Sequence, residues 1–93
     1  MISYVRQVAI CELVRETIKR ALLQGNDMGM RQKVNDIPTT ESILRVVSLY
    51  PTLDTEETLK EFITNHIINS LRLTATQREQ LTLNGREPLT SCK

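Results

Sequence analysis

The chain has no tryptophan, one phenylalanine and two tyrosines among its 93 residues. Its core is therefore left to leucine, isoleucine and valine, each worth about 1.5–3 kcal/mol when fully buried. A chain this short buries little more than ~60% of the surface its unfolded form exposes, so such a core is thin. Small domains offset a thin core with disulfides, a metal or self-association. Two cysteines, Cys11 within a helical pattern and Cys92 next to the end, make no disulfide framework. A single histidine and the absence of a CxxC pair leave no metal cluster. Self-association remains, and a homodimer is the expected state.

Charge of one sign is missing too. The formal net charge is +1, with four basic and two acidic groups in residues 1–24 and four acidic and two basic in residues 54–72. A dedicated nucleic-acid binder normally carries a basic stripe, and none of any length is present. No apolar run approaches the ~20 residues needed to cross a bilayer. The first segment carries Arg6 and Glu12 and no small-residue cleavage site, so it does not read as a signal peptide. The expectation is a soluble cytoplasmic protein of a size that fits a bacterial or phage source.

What is present is amphipathic helix. From Ser3 to Gln24, Ile10, Leu13, Val14, Thr17, Ile18, Ala21 and Leu22 fall on one side, with Glu12, Arg15, Glu16, Lys19 and Arg20 on the other. Gly25-Asn26 offers a left-handed C-cap. Residues 25–40 are irregular, although Met28, Met30, Val34 and Ile37 suit a short turn of helix laid on the core. A second helix is expected from Thr39 to Tyr50, burying Ile43, Val46, Val47 and Tyr50, with Pro51 ending it. A third runs from Asp54 to Leu71. Asp54 and Glu57 have capping-box spacing, and the apolar row is read as Leu59, Phe62, Ile63, Ile67 and Ser70 with His66 among them. A short fourth helix from Thr74, packing Leu81 inward and ending at Asn84-Gly85, competes with a hairpin across residues 83–89. The expected fold is all-α: a small bundle of three main amphipathic helices with a short fourth, one domain over 1–83 and a loose tail over 84–93.

No catalytic, cofactor-binding or metal-ligating motif stands out. Cys11 has no base near it in sequence and reads as a buried filler. Gly25 and Gly29 match no phosphate-cradling motif, and Asp27 and Asp36 lack the alternating ligands of a calcium loop. An enzyme is not expected. His66, read at the centre of a buried row, is either a core group with a partner or a pH-sensitive contact, since protonation opposes packing. Read as a helix-turn-helix over 40–72, the chain would present Asp54, Glu56, Glu57 and Glu61 to phosphates, the wrong sign. Arg15, Lys19 and Arg20, with Arg6, form the better phosphate-contacting face and carry the alternative of a DNA-binding regulator.

Three apolar residues fall off the stripes: Val5 and Val8 on the polar side of the first helix and Ile68 opposite the row on the third. Together they point to a second buried surface, most simply a two-fold dimer. The leading expectation is thus a non-enzymatic regulator or connector acting by protein–protein binding. Its contacts are Val5, Val8 and Ile68, with Arg15, Lys19 and Arg20 as the polar rim.

The segment Leu22-Leu23-Gln24-Gly25-Asn26-Asp27, a following apolar helix, and the stretch from Asp54 that closes on Leu71-Arg72-Leu73-Thr74-Ala75 resemble the small enterobacterial regulators of the AriR (YmgB) type. The likeness covers about half the chain. It implies a helical dimer that binds partners, in a family associated with biofilm formation, acid resistance and signalling. No residue role carries over. The chain departs from the pattern in a longer stretch from Met30 to Ser42, with Pro38 in it, and in the extension after Gln77.

Overall fold

The computed structural model describes residues 2–90, with the side chains of 84–90 left aside. Among these the secondary structure is all-α: α1 (Tyr4–Gln24), α2 (Met28–Gln32), a 3-10 turn (Lys33–Asp36), α3 (Thr40–Val47), α4 (Glu56–Leu71) and α5 (Ala75–Thr90).

Helix α1 is the central element. The Ser3 hydroxyl caps its start by accepting from the Arg6 N–H at 3.2 Å. Ile10, Cys11, Val14, Ile18, Ala21 and Leu22 recur at three- and four-residue spacing and are all buried. Helices α3, α4 and α5 pack around it. An ion pair from Arg6 to Glu56 joins the first turns of α1 and α4, and Val14 and Ile18 lie beside Lys60 and Thr64 further along. The two helices therefore run in the same sense. Arg15 meets Thr40 at the start of α3, whereas Gln7 sits beside Val47 at its end, so α3 runs antiparallel to α1.

The 25–40 segment is more ordered than its glycines suggest. Gly25 closes α1 in an extended conformation (φ −93°, ψ 179°), not the left-handed one expected. Asp27 then caps α2, its Oδ1 accepting from the N–H groups of Gly29 (2.8 Å) and Met30 (3.3 Å). The cap drops Met30 into the core, while Met28 remains exposed.

Helix α3 is shorter than expected. The Thr39 hydroxyl accepts from Ser42 N–H at 3.1 Å, and the α-helix ends at Val47. Leu49 and Tyr50 donate instead to carbonyls three residues back, which tightens the chain into a turn and swings Tyr50 outward. Tyr50 is 48% exposed, not a core residue.

Helix α4 starts one residue later than its acidic residues imply. Thr55 and Thr58 form the reciprocal box, the Thr58 N–H donating to Thr55 Oγ1 and the Thr55 N–H donating to Thr58 Oγ1. Glu56 and Glu57 still lie in the first turn, where the helix dipole favours them. The buried row is Leu59, Ile63, Ile67 and Leu71, all fully covered. It is rotated from the expected row, with Phe62 and His66 half-buried at one margin and Ser70 exposed. The Ser70 hydroxyl donates to the His66 carbonyl at 2.8 Å, which satisfies it locally. Arg72 ends the helix with φ 51° and ψ 50°, a left-handed conformation that costs a non-glycine residue about 1–2 kcal/mol.

Thr74 and Gln77 cap α5 reciprocally, each side chain accepting from the other's N–H at 3.1 Å. Leu81 is buried. The helix then runs through Asn84-Gly85 to Thr90, so neither the expected stop there nor the hairpin across 83–89 is present. Glycine costs a helix about 1 kcal/mol relative to alanine, which weakens a helix without ending it. Of the proposed tail, residues 91–93 lie outside the described part.

Candidate interaction surface

The outward side of α1 is set by what the inward side needs. With Ile10, Val14, Ile18 and Leu22 committed to the core, helical spacing sends Val5, Glu12, Glu16, Lys19 and Leu23 to the opposite side. All five are exposed, Val5 at 79% and Leu23 at 39%. Val5 and Leu23 are 18 residues apart, about five helical turns at 3.6 residues each, so they share one azimuth at either end of the strip. Val8 and Ile68 differ from Val5: both are half-buried and pack against the chain's own core.

Three of the basic residues of α1 have partners within the chain. Arg6 is bidentate to Glu56, Nε to Oε2 at 2.7 Å and Nη2 to Oε1 at 2.8 Å. That pairing holds the Glu56 carboxyl below its ordinary range, chiefly through the hydrogen bond. Arg15 is half-buried, its Nε donating to the Pro38 carbonyl at 2.8 Å and its Nη1 to Thr40 Oγ1 at 3.4 Å. It ties α1 to the approach to α3 with two of its five N–H donors. Arg20 approaches Glu16 at 3.7 Å, the i,i+4 order expected of the sequence. Of the expected polar rim, Lys19 and Arg20 are exposed and Arg15 is not.

Beside the strip lies a groove of about 340 Å³, with Glu12, Arg15, Glu16 and Lys19 on the α1 wall and the half-buried Val34 and Ile37 as its apolar side. A second cleft, about 250 Å³, opens at the α3–α4 corner between Ile2, Val47, Tyr50, Pro51 and Leu53. Leu49, 71% exposed, sits between its lining residues Ser48 and Tyr50. Sequence reading passed over this corner because Val46 to Tyr50 continues a helical pattern, and only Pro51 hinted at the turn. Tyr50, Phe62 and His66 form a short aromatic ladder there. The first two rings are 5.3 Å apart and tilted, and the second pair is 6.1 Å apart and nearly parallel. His66 is thus a margin residue against Phe62, not the centre of a buried row.

Cys11 is fully buried, and its burial raises the thiol pKa, partly offset by a hydrogen bond with Thr40. A thiol held neutral in the core is a poor nucleophile. Among the described residues, no group of three His, Cys, Asp or Glu side chains is placed to hold a metal, and no helix is long and apolar enough to cross a membrane. No known protein family, curated protein or solved structure matches the chain.

Proposed function

We propose that this is a non-enzymatic regulatory or connector protein that acts in the cytoplasm by binding other polypeptides, one of them a second copy of itself. The observation that carries this reading is the separation of its exposed apolar side chains. Tyr4, Val5, Leu13 and Leu23 are exposed along α1, whereas Leu49 and Tyr50 lie at the α3–α4 corner. Single apolar residues on a surface are ordinary, but apolar groups flanking a groove and a cleft are features of docking sites. Two such surfaces on a chain this small fit a connector, with one surface for the second copy and the other for a partner. The likeness to AriR-type regulators in helix order agrees with that reading.

The competing reading, a DNA-binding regulator using the basic face of α1, rests on Arg15, Lys19 and Arg20, with Arg6, for phosphates. Arg6 and Arg15 are engaged within the fold, whereas Arg20, 3.7 Å from Glu16, and Lys19 remain exposed. The two readings separate in one pair of assays. Protein binding predicts a cross-linked species of doubled mass from the purified chain and no retardation of duplex DNA at low salt. A salt-sensitive retardation, lost when Lys19 and Arg20 are neutralised and unaccompanied by a cross-linked dimer, overturns it.

A further inference from the structure

The four charges on the α1 wall of the 340 Å³ groove are not equivalent. Arg15 is turned into the fold, its Nε on the Pro38 carbonyl at 2.8 Å and its Nη1 on Thr40 Oγ1 at 3.4 Å. Glu16 is drawn toward Arg20, 3.7 Å away. Glu12 and Lys19 are exposed and take part in none of the ion pairs among the described residues. The groove therefore offers a free carboxylate toward one end and a free ammonium toward the other, with Arg15 and Glu16 partnered between them. The two lie seven residues apart on one side of the helix, about 10 Å at 1.5 Å per residue. Facing them, Val34 and Ile37 are half-buried on the chain's own core and line the groove with the surface they keep.

We infer that this groove is the docking site of the partner polypeptide, which presents an extended segment carrying a cation and an anion three residues apart with an apolar side chain between them. This rests on the protein binding proposed above and adds the place and the partner's chemistry. An extended chain rises about 3.3 Å per residue, so groups three residues apart are separated by about 10 Å, the spacing of Glu12 and Lys19. The segment's cation meets Glu12, its anion meets Lys19, and the apolar group rests on Val34 and Ile37. A partner of one sign loses at one end what it gains at the other. A polyanion runs into Glu12, and a basic tail runs into Lys19. Apolar contact supplies the hold, while the two charges select the segment.

Chemical shifts of the Val34 and Ile37 methyl groups, followed in the full chain at low salt, test it with a capped Lys-Leu-Leu-Glu peptide as the probe. The shifts move on titration and saturate, whereas Glu-Leu-Leu-Glu, Lys-Leu-Leu-Lys and Lys-Ser-Ser-Glu peptides bind about fivefold more weakly. Glu12→Lys and Lys19→Glu each weaken binding of the first peptide about fivefold, and helical circular dichroism is unchanged because both sites are exposed. The double reversal restores binding, with the segment lying the other way round. Added salt narrows the differences. Unmoved methyl groups, or equal binding of all four peptides, overturn the inference and leave the reading it rests on to the cross-linking assay. Shifts confined to Val47 and Leu53 in the corner cleft overturn the groove as the site while upholding protein binding.

Discussion

Truncating Ile63 to alanine tests the packing on which every surface described above depends. Ile63 is fully buried in the middle of the α4 row, between Leu59 and Ile67, where α4 lies on α1. The change removes three carbons, roughly 2.4 kcal/mol at ~0.8 kcal/mol each, before the cavity left behind is counted. With the cavity the loss is about 3–4 kcal/mol, near the middle of what large-to-small core changes cost. Domains of this size are stable by only about 5–14 kcal/mol, so the substitution removes about a fifth or more of the total. The melting temperature falls by roughly 12–24 °C for a 3 kcal/mol loss. The assay is urea and thermal unfolding followed by helical circular dichroism, at one fixed protein concentration so that self-association does not shift the midpoint. Ile68→Ala is the control. Ile68 lies five positions further along α4 and is half-buried, so its truncation costs about half as much. If Ile63→Ala costs under ~1 kcal/mol, or Ile68→Ala costs more than Ile63→Ala, the assigned face of α4 is wrong.

Three further outcomes follow from local geometry. Arg72 holds a left-handed conformation at an exposed helix end, so Arg72→Gly stabilises the chain by about 0.5–1 kcal/mol, read as a higher urea midpoint. Thr55 and not Asp54 caps α4, so Thr55→Ala costs about 1 kcal/mol while Asp54→Ala costs a few tenths; the reverse ranking refutes the capping assignment. The buried Cys11 has its pKa raised by desolvation, so its contribution to stability is whole below the unfolded-state thiol pKa and is lost as pH rises through the folded one. In a Cys92→Ser background, unfolding midpoints therefore decline on the alkaline side, and Cys11 reacts with iodoacetamide only as fast as the chain opens.

Much of the fold is legible in the sequence because apolar spacing alone sets a helix's buried side. Most of the α1 stripe, the end of α1 at Gln24, and the Thr74–Gln77 cap follow from local pattern and recur in the structure, whereas Leu13 and Thr17 of the expected stripe are exposed. Phase is harder. Leu59, Ile63 and Ile67 fit two neighbouring rows, one continuing to Ser70 and one to Leu71, and the choice depends on which side α1 approaches. The same reason moved Val8 and Ile68 from stray surface residues to half-buried ones. Helix α1 packs against all four other α-helices, so its buried arc is wider than one stripe. At the start of α4, Asp54 and Thr55 are both competent caps, and only backbone geometry selects Thr55. Local pattern assigns Arg15 to the polar rim because its partners, the Pro38 carbonyl and the Thr40 hydroxyl, lie 23 and 25 residues away. The corner cleft was missed because Leu49 and Tyr50 suit a helix as well as the turn they form.

Self-binding is most directly checked by sedimentation velocity of the purified chain across the micromolar range. The expected result is a boundary that shifts with concentration toward a species twice the 10.7 kDa of one chain, and less so for Val5→Asp. A single 10.7 kDa species at every concentration contradicts it.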